Sequence, residues 1–299
     1  MHGDDRVSGF APRLAASLRP DELHGARAAA LRAAGVEVEL DLSHPYLRRL
    51  PTRRGDAAAG RLRAALGDRA PASTHAPHAG LDPLSPDPTL ARYARASLRR
   101  ALHVTAALGA DRMVLHSGLP FRRDEAATLA YLERSTSFLA ELARDAAEAG
   151  VTLLLENTSE RDPACLRPLF EALPEVGFCF DPAHALAFAD VVDPEAWRIV
   201  LAPWLRHLHL SGTEPGVDRH LPLSAGVGTS PAELATWSSA LPADAVVVLE
   251  TVPFRRSDAQ RVRAAWAAGR SGRVAVGAAP PSRFGVGRAS AGDPPTPPQ

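Results

Sequence analysis

The order of apolar and polar positions along the chain repeats one unit. Short apolar runs alternate with longer stretches in which Ala, Leu and Arg recur at helical spacing. Residues 6–14, 36–42, 71–75, 112–116, 151–156, 176–181, 205–210 and 245–250 read as strands. Helices are predicted over 20–35, 56–67, 89–109, 124–150, 163–173, 194–201, 231–241 and 257–269, and several of them stop at Gly, a common helix terminator. Eight strands, each followed by its helix, predict an α/β chain built as a single (β/α)8 TIM barrel over residues 1–270. A doubly wound open sheet is the alternative, but no Gly-rich turn follows the first strand to open a nucleotide site. From Ser271 the composition shifts to Gly, Pro, Ser, Ala and Arg and the periodicity fades, so 271–299 is expected to be a disordered tail.

The same strands end in side chains that bind divalent metals. The third ends at His75, the fourth at His116 and the fifth, TLLLE, at Glu156. The sixth ends at Asp181 with His184 three residues on, and the seventh at His209, with Asp218 and His220 in the loop beyond. The eighth ends at Glu250. In a barrel all these ends converge on one mouth. Taken singly, each has an ordinary explanation. His116 would serve as a hydrogen-bonded structural histidine, Asp181 as a helix N-cap, and Asp218 and His220 as solvated loop residues. Glu156, Asp181 and Glu250 are harder to dismiss, because a carboxylate after LLL, FCF or VVVL needs a cation or a raised pKa. Together the nine groups point to a metal centre. His78 is a candidate for the pocket wall. His2, His24 and His103 read as background, His44 as surface, and His207 is expected to face away from His209.

Composition narrows this little. The chain is 45% hydrophobic and 23% charged, with formal net charge +0 and its basic charge carried by Arg. That balance gives no support to a basic nucleic-acid surface. Cys165 and Cys179 form neither a ligand pair nor a disulfide framework. The N-terminus lacks the pattern of a signal peptide and no apolar run is long enough to span a membrane, so a cytoplasmic chain with no membrane partner is expected. No oligomeric state follows from the sequence.

The segments STHAPH (73–78), VLHSG (114–118), LLLENT (153–158), FDPAHA (180–185), LRHLHLSG (205–212), DRH (218–220) and VLET (248–251) together resemble the xylose isomerase-like TIM-barrel superfamily, AP endonuclease family 2. That superfamily joins endonuclease IV-type enzymes to sugar and sugar-phosphate isomerases and epimerases. The isomerase branch implies one metal, such as Mn, held by Glu156, Asp181, His209 and Glu250, with Glu156 and Glu250 as acid and base. The endonuclease IV branch implies up to three Zn ions. His75 and His116 would serve one, Glu156 would bridge, and His184, Asp218 and His220 would hold the third. All nine are present, so the resemblance implies a metal-dependent phosphoesterase in which metal-activated water attacks a phosphodiester and Glu250 accepts a proton. At substrate-side positions the match departs. The loop after His209 lacks the Asn-Asp turn, the His75 loop lacks Tyr and Asn-Leu, and SAGVG lacks an acid. These departures weaken the case for DNA, so the expected substrate is AP-site DNA or a smaller phosphodiester, or a sugar in the isomerase branch. Arg219 is the expected phosphate contact, and Arg122 and Arg123 read as solvated charge.

Overall fold

A computed structural model describes residues 12–43, 55–67, 69–119, 124–227 and 229–273. Its strands are β1 (Arg13–Leu18), β2 (Glu37–Asp41), β3 (Ser73–His75), β4 (Arg112–His116), β5 (Thr152–Glu156), β6 (Gly177–Phe180), β7 (Leu205–Leu210), β8 (Gly212–Glu214), β9 (Val217–Leu221) and β10 (Val246–Leu249). The helices are α1 (Ala26–Ala33), α2 (Gly55–Ala65), α3 (Pro88–Leu108), α4 (Glu125–Glu148), α5 (Arg167–Ala172), α6 (Pro182–Phe188), α7 (Pro194–Val200), α8 (Pro231–Ala240) and α9 (Arg256–Arg273). β1 pairs in parallel with both β2 and β10, which closes an eight-stranded barrel in the order β1-β10-β7-β6-β5-β4-β3-β2. Closure excludes the open sheet.

The strands read as apolar runs because both of their faces are covered. Outward residues such as Leu153, Leu155, Phe178, Phe180 and Leu249 join Leu, Phe and Trp side chains of the helices in one large core. Each fully buried side chain of this kind contributes about 1.5–3 kcal/mol. The lumen holds two small apolar groups, Val114–Leu154–Cys179 and Ala15–Ala72–Val246–Val248. It also holds Glu39, Ser73 and His207, all fully buried. A polar group in that interior was not expected from the sequence.

Several predicted elements change. The first strand lies over Arg13–Leu18 rather than 6–14, because RLAASL pairs with Val246–Leu249 on one side and Glu37–Leu40 on the other. Residues 1–11 lie outside the described set. The helix predicted over 20–35 is a 3-10 turn (Pro20–Glu22) followed by α1, split where Gly25 takes an extended conformation. The helix predicted over 163–173 divides in the same way, because Pro168 lacks the N–H that would continue it. α6 and the antiparallel β8–β9 hairpin lie in stretches read as loops. Ser271–Arg273 belong to the last turn of α9 rather than to a tail. The tail reading for 274–299 lies outside the described residues, as do His2, His44, Arg122 and Arg123. Among the described residues no helix is long and apolar enough to cross a membrane.

Candidate metal centre

Parallel register places the donors side by side. Asp41 pairs with His75, His75 with Val114, and His116 with Glu156. The strand ends therefore form a ring around a cavity of about 340 Å3, whose wall includes His75, His78, His116, Glu156, His184, Asp218, His220 and Glu250. Asp41 also lines it, and sequence reading missed that residue although it closes its strand as the others do.

Glu156 is at the centre and fully buried. Its Oε2 lies 3.1 Å from His75 Nε2 and 3.1 Å from His116 Nε2, and its Oε1 lies 3.0 Å from His209 Nδ1 and 3.3 Å from His184 Nδ1. Donor atoms of Glu156, Asp181, His209 and Glu250 fall within 4.8 Å of one another, as do those of His184, Asp218 and His220, and those of His75, His78 and His116. All nine predicted ligands thus meet at one mouth, and His78 joins them, stacked on His116 with ring centroids 4.2 Å apart. Arg219 does not line the cavity; it reaches back along the hairpin to Glu214 at 3.3 Å.

The cap and donor readings of Asp181 are both realised. Oδ1 caps α6, accepting from the backbone N–H of Ala183 (2.6 Å) and His184 (3.0 Å). Oδ2 is buried with no hydrogen-bond partner, and so is Asp218 Oδ1. Orphaned carboxylate oxygens among converging imidazoles fit a divalent cation. The Nδ1 atoms of three histidines agree with that fit. His75 Nδ1 lies 2.9 Å from the Ala76 carbonyl, His184 Nδ1 2.9 Å from that of Asn157, and His220 Nδ1 3.1 Å from that of Glu250. With Nδ1 donating there, loss of the other proton would leave each Nε2 as a lone pair for an ion. Asn157 also locks β5 to β6, donating to the Asp181 carbonyl at 2.7 Å and accepting from its N–H at 2.8 Å. His220 keeps φ 47, in the left-handed region, a strained choice for a non-glycine residue.

His207 is a correction. Residues two apart on a strand share a face, so His207 points into the lumen with His209, their rings 5.2 Å apart. The sequence also hid Glu39, whose side chain His207 meets across the barrel at 3.2 Å. The signal was one acid placed two residues before Asp41 on an inward face.

Without an ion the donors neutralise one another. Burial disfavours charge at every one of them. Against it, Glu156 holds His75 up at about 9, and Asp218 and Glu250 hold His220 up at about 9. Burial wins at His116, at about 4, and at His78, at about 3, where His116 and His75 add repulsion. Burial raises Asp181 and Glu250, whereas His209 and His116 draw Glu156 well below its ordinary value.

The sequence profile of the xylose isomerase-like TIM barrel matches residues 26–259. The chain belongs to that family. Among solved structures, the xylose isomerase-like barrel here is similar to the TTHB071 protein from Thermus thermophilus, soaked with ZnCl2. The identity is 34%, covering 86% of this chain and 99% of that one, with TM-score 0.74. It also resembles a D-tagatose 3-epimerase-like protein (16% identity, 87% and 100% covered, TM-score 0.66) and an L-ribulose 3-epimerase (20%, 89% and 98%, 0.63). At those identities the likeness shows the fold. No functionally curated protein matches the chain.

Proposed function

We propose that this family member is a metal-dependent hydrolase of phosphoesters that works with more than one divalent ion, most simply zinc. The observation that carries the reading is the sharing of Glu156. Each of its two oxygens faces a pair of imidazoles, and the side chain is 1% exposed. A carboxylate so enclosed is suited to bridging and leaves no oxygen to meet a substrate carbon. Ions held by these donors would neutralise a phosphate and make a bound water acidic. The residues do the rest. Glu250, 11% exposed and raised by burial, faces the cavity and accepts a proton. His78, neutral at about 3, can hydrogen-bond the substrate without adding charge. The zinc-soaked relative at 34% identity supports the metal. A cavity of this size and the neutral chain favour a small phosphodiester over AP-site DNA.

The second reading is a single-metal sugar or sugar-phosphate isomerase or epimerase with Glu156 and Glu250 as acid and base. On the comparisons alone it is the better supported, since the named epimerases stand among the neighbours. Metal analysis of the purified protein, with assays on bis-p-nitrophenyl phosphate, an abasic-site duplex and free ketoses, separates the two. About three ions per chain with chelator-sensitive phosphodiester cleavage is the expected outcome. One ion with ketose epimerisation overturns it in favour of the second.

A further inference from the structure

Four of the histidines around Glu156 and Asp218 have both ring nitrogens accounted for, and one of them is built differently. His75, His184 and His220 give Nδ1 to backbone carbonyls. His209 is turned round. Its Nδ1 faces the site, 3.0 Å from Glu156 Oε1 and 3.6 Å from Glu250 Oε1, and its Nε2 points down into the lumen. There it lies 3.2 Å from Glu39 Oε1. The alignment falls short of a hydrogen bond, and neither atom has a hydrogen-bond partner elsewhere among the described residues, so this short contact is the polar partner each is offered. Glu39 is fixed in turn through Oε2, which accepts from Ser73 Oγ at 2.6 Å and lies 3.2 Å from His207 Nε2. β2 and β7 are not neighbours in the barrel, so these contacts cross the lumen.

A charge in a dry barrel interior costs several kcal/mol unless it is matched. An apolar residue on β2 would fill that space as the two neighbouring lumen groups do. We propose that Glu39 is a positioning residue for the metal centre. It holds the Nε2 proton of His209 and so presents Nδ1 as an unprotonated donor beside Glu156 and Glu250. His207 and Ser73 hold Glu39 in place. The inference rests on His209 being a metal donor and holds for either chemistry proposed above.

The test is Co2+ and Zn2+ affinity of the metal-stripped protein, measured by competition with a chromophoric chelator, with the visible absorption of bound Co2+ as the reporter of ligand geometry. Glu39→Gln keeps the shape and removes the charge. It is expected to weaken the affinity by about 10–100-fold and to alter the Co2+ bands. Ser73→Ala removes one of the two contacts that hold Glu39 but keeps its charge, and should cost only a few-fold. Should Glu39→Gln fold poorly, the double variant Glu39→Gln with His207→Gln replaces the Glu39–His207 contact by two neutral amides of similar volume, and the same loss is expected. Unchanged affinity and spectrum in a folded Glu39 variant, with affinity lost in His209→Ala, overturns the proposal alone. Unchanged affinity in His209→Ala overturns the metal reading of His209 as well.

Discussion

The floor of the centre and the hairpin beside it use the same side-chain types under different constraint. Glu156, Asp181 and His209 are fully buried and sit at or next to the ends of β5, β6 and β7, each laddered on both sides. Asp218 and His220 sit on β9, with side chains 20% and 36% exposed, in an antiparallel pair outside the barrel sheet. The hairpin packs on α6 and is joined to the barrel by bonds such as Val252 N–H to the His220 carbonyl at 2.7 Å. Floor donors are thus part of what holds the fold, whereas hairpin donors are additions to it. Removing one should show in both stability and metal content; removing the other should show chiefly in metal content.

The largest effect is expected at the shared carboxylate. Glu156→Ala leaves four imidazoles facing a buried void, so the metal-free protein should lose about 3–5 kcal/mol in urea unfolding. Metal content should fall with it. A variant as stable as the parent would break the comparison, since Glu156 would then be no more structural than Asp218. Asp218→Ala should cost less stability than Glu156→Ala, because Asp218 and His220 are partly exposed and only His184 loses a partner at a buried position. It should remove one ion per chain and, if the hydrolase reading holds, lower phosphodiester cleavage by about 10²–10³-fold. Retained activity would favour the single-metal chemistry.

Protons compete for both regions. In the metal-free protein His75 and His220 stand at about 9, held up by Glu156 and by Asp218 and Glu250, so both are charged at neutral pH. A folded pKa raised above the ordinary 6.5 contributes stability that is fully present below 6.5 and is lost as pH rises through about 9. The metal-free protein should therefore weaken between those limits. Metal uptake runs the other way. Each of these protons must leave, so apparent affinity should rise with pH up to about 9, and proton release on loading should be measurable by calorimetry in buffers of different ionisation enthalpy. The floor should show the steeper dependence if His75 and His209 deprotonate together.

How far the sequence revealed this depends on which direction of the barrel is considered. Along the strands it was legible. Apolar runs ending in His, Asp or Glu marked the mouth, and all nine donors meet there. Across the lumen it was not. Glu39 and His207 touch only because β2 and β7 face one another through a closed barrel, a relation with no sequence spacing to announce it. The β8–β9 hairpin was hidden for another reason. Gly212 and Gly226 approach so closely that an added Cβ would lie 2.6 Å from the Pro222 carbonyl or 2.3 Å from Thr213 N, and the intervening residues carry little apolar alternation. Arg219 was chosen for its charge, but its place on the outer face of β9 gives it Glu214 instead.

The smallest expected effect isolates what is special about Asp181. The chain opens several helical segments with Asp-Pro, at Asp87, Asp162, Asp181 and Asp193, and in each the side chain accepts a backbone N–H one or two residues past the proline. The cap is worth about 1 kcal/mol wherever it occurs. Asp87, whose Oδ1 accepts from Thr89 N–H at 2.7 Å, does this at an exposed helix end and does not line the cavity. Asp87→Ala should lower stability by about 1 kcal/mol in urea unfolding and leave metal content unchanged. Asp181→Ala removes the same kind of cap from a buried position, so its metal-free form should lose at least as much stability. It also removes the unpartnered Oδ2, so metal content should fall. Comparing the metal content of the two variants separates the donor from the cap. Equal metal content in the two would mean that Asp181 does nothing beyond what Asp87 does, and that Oδ2 is orphaned for some other reason.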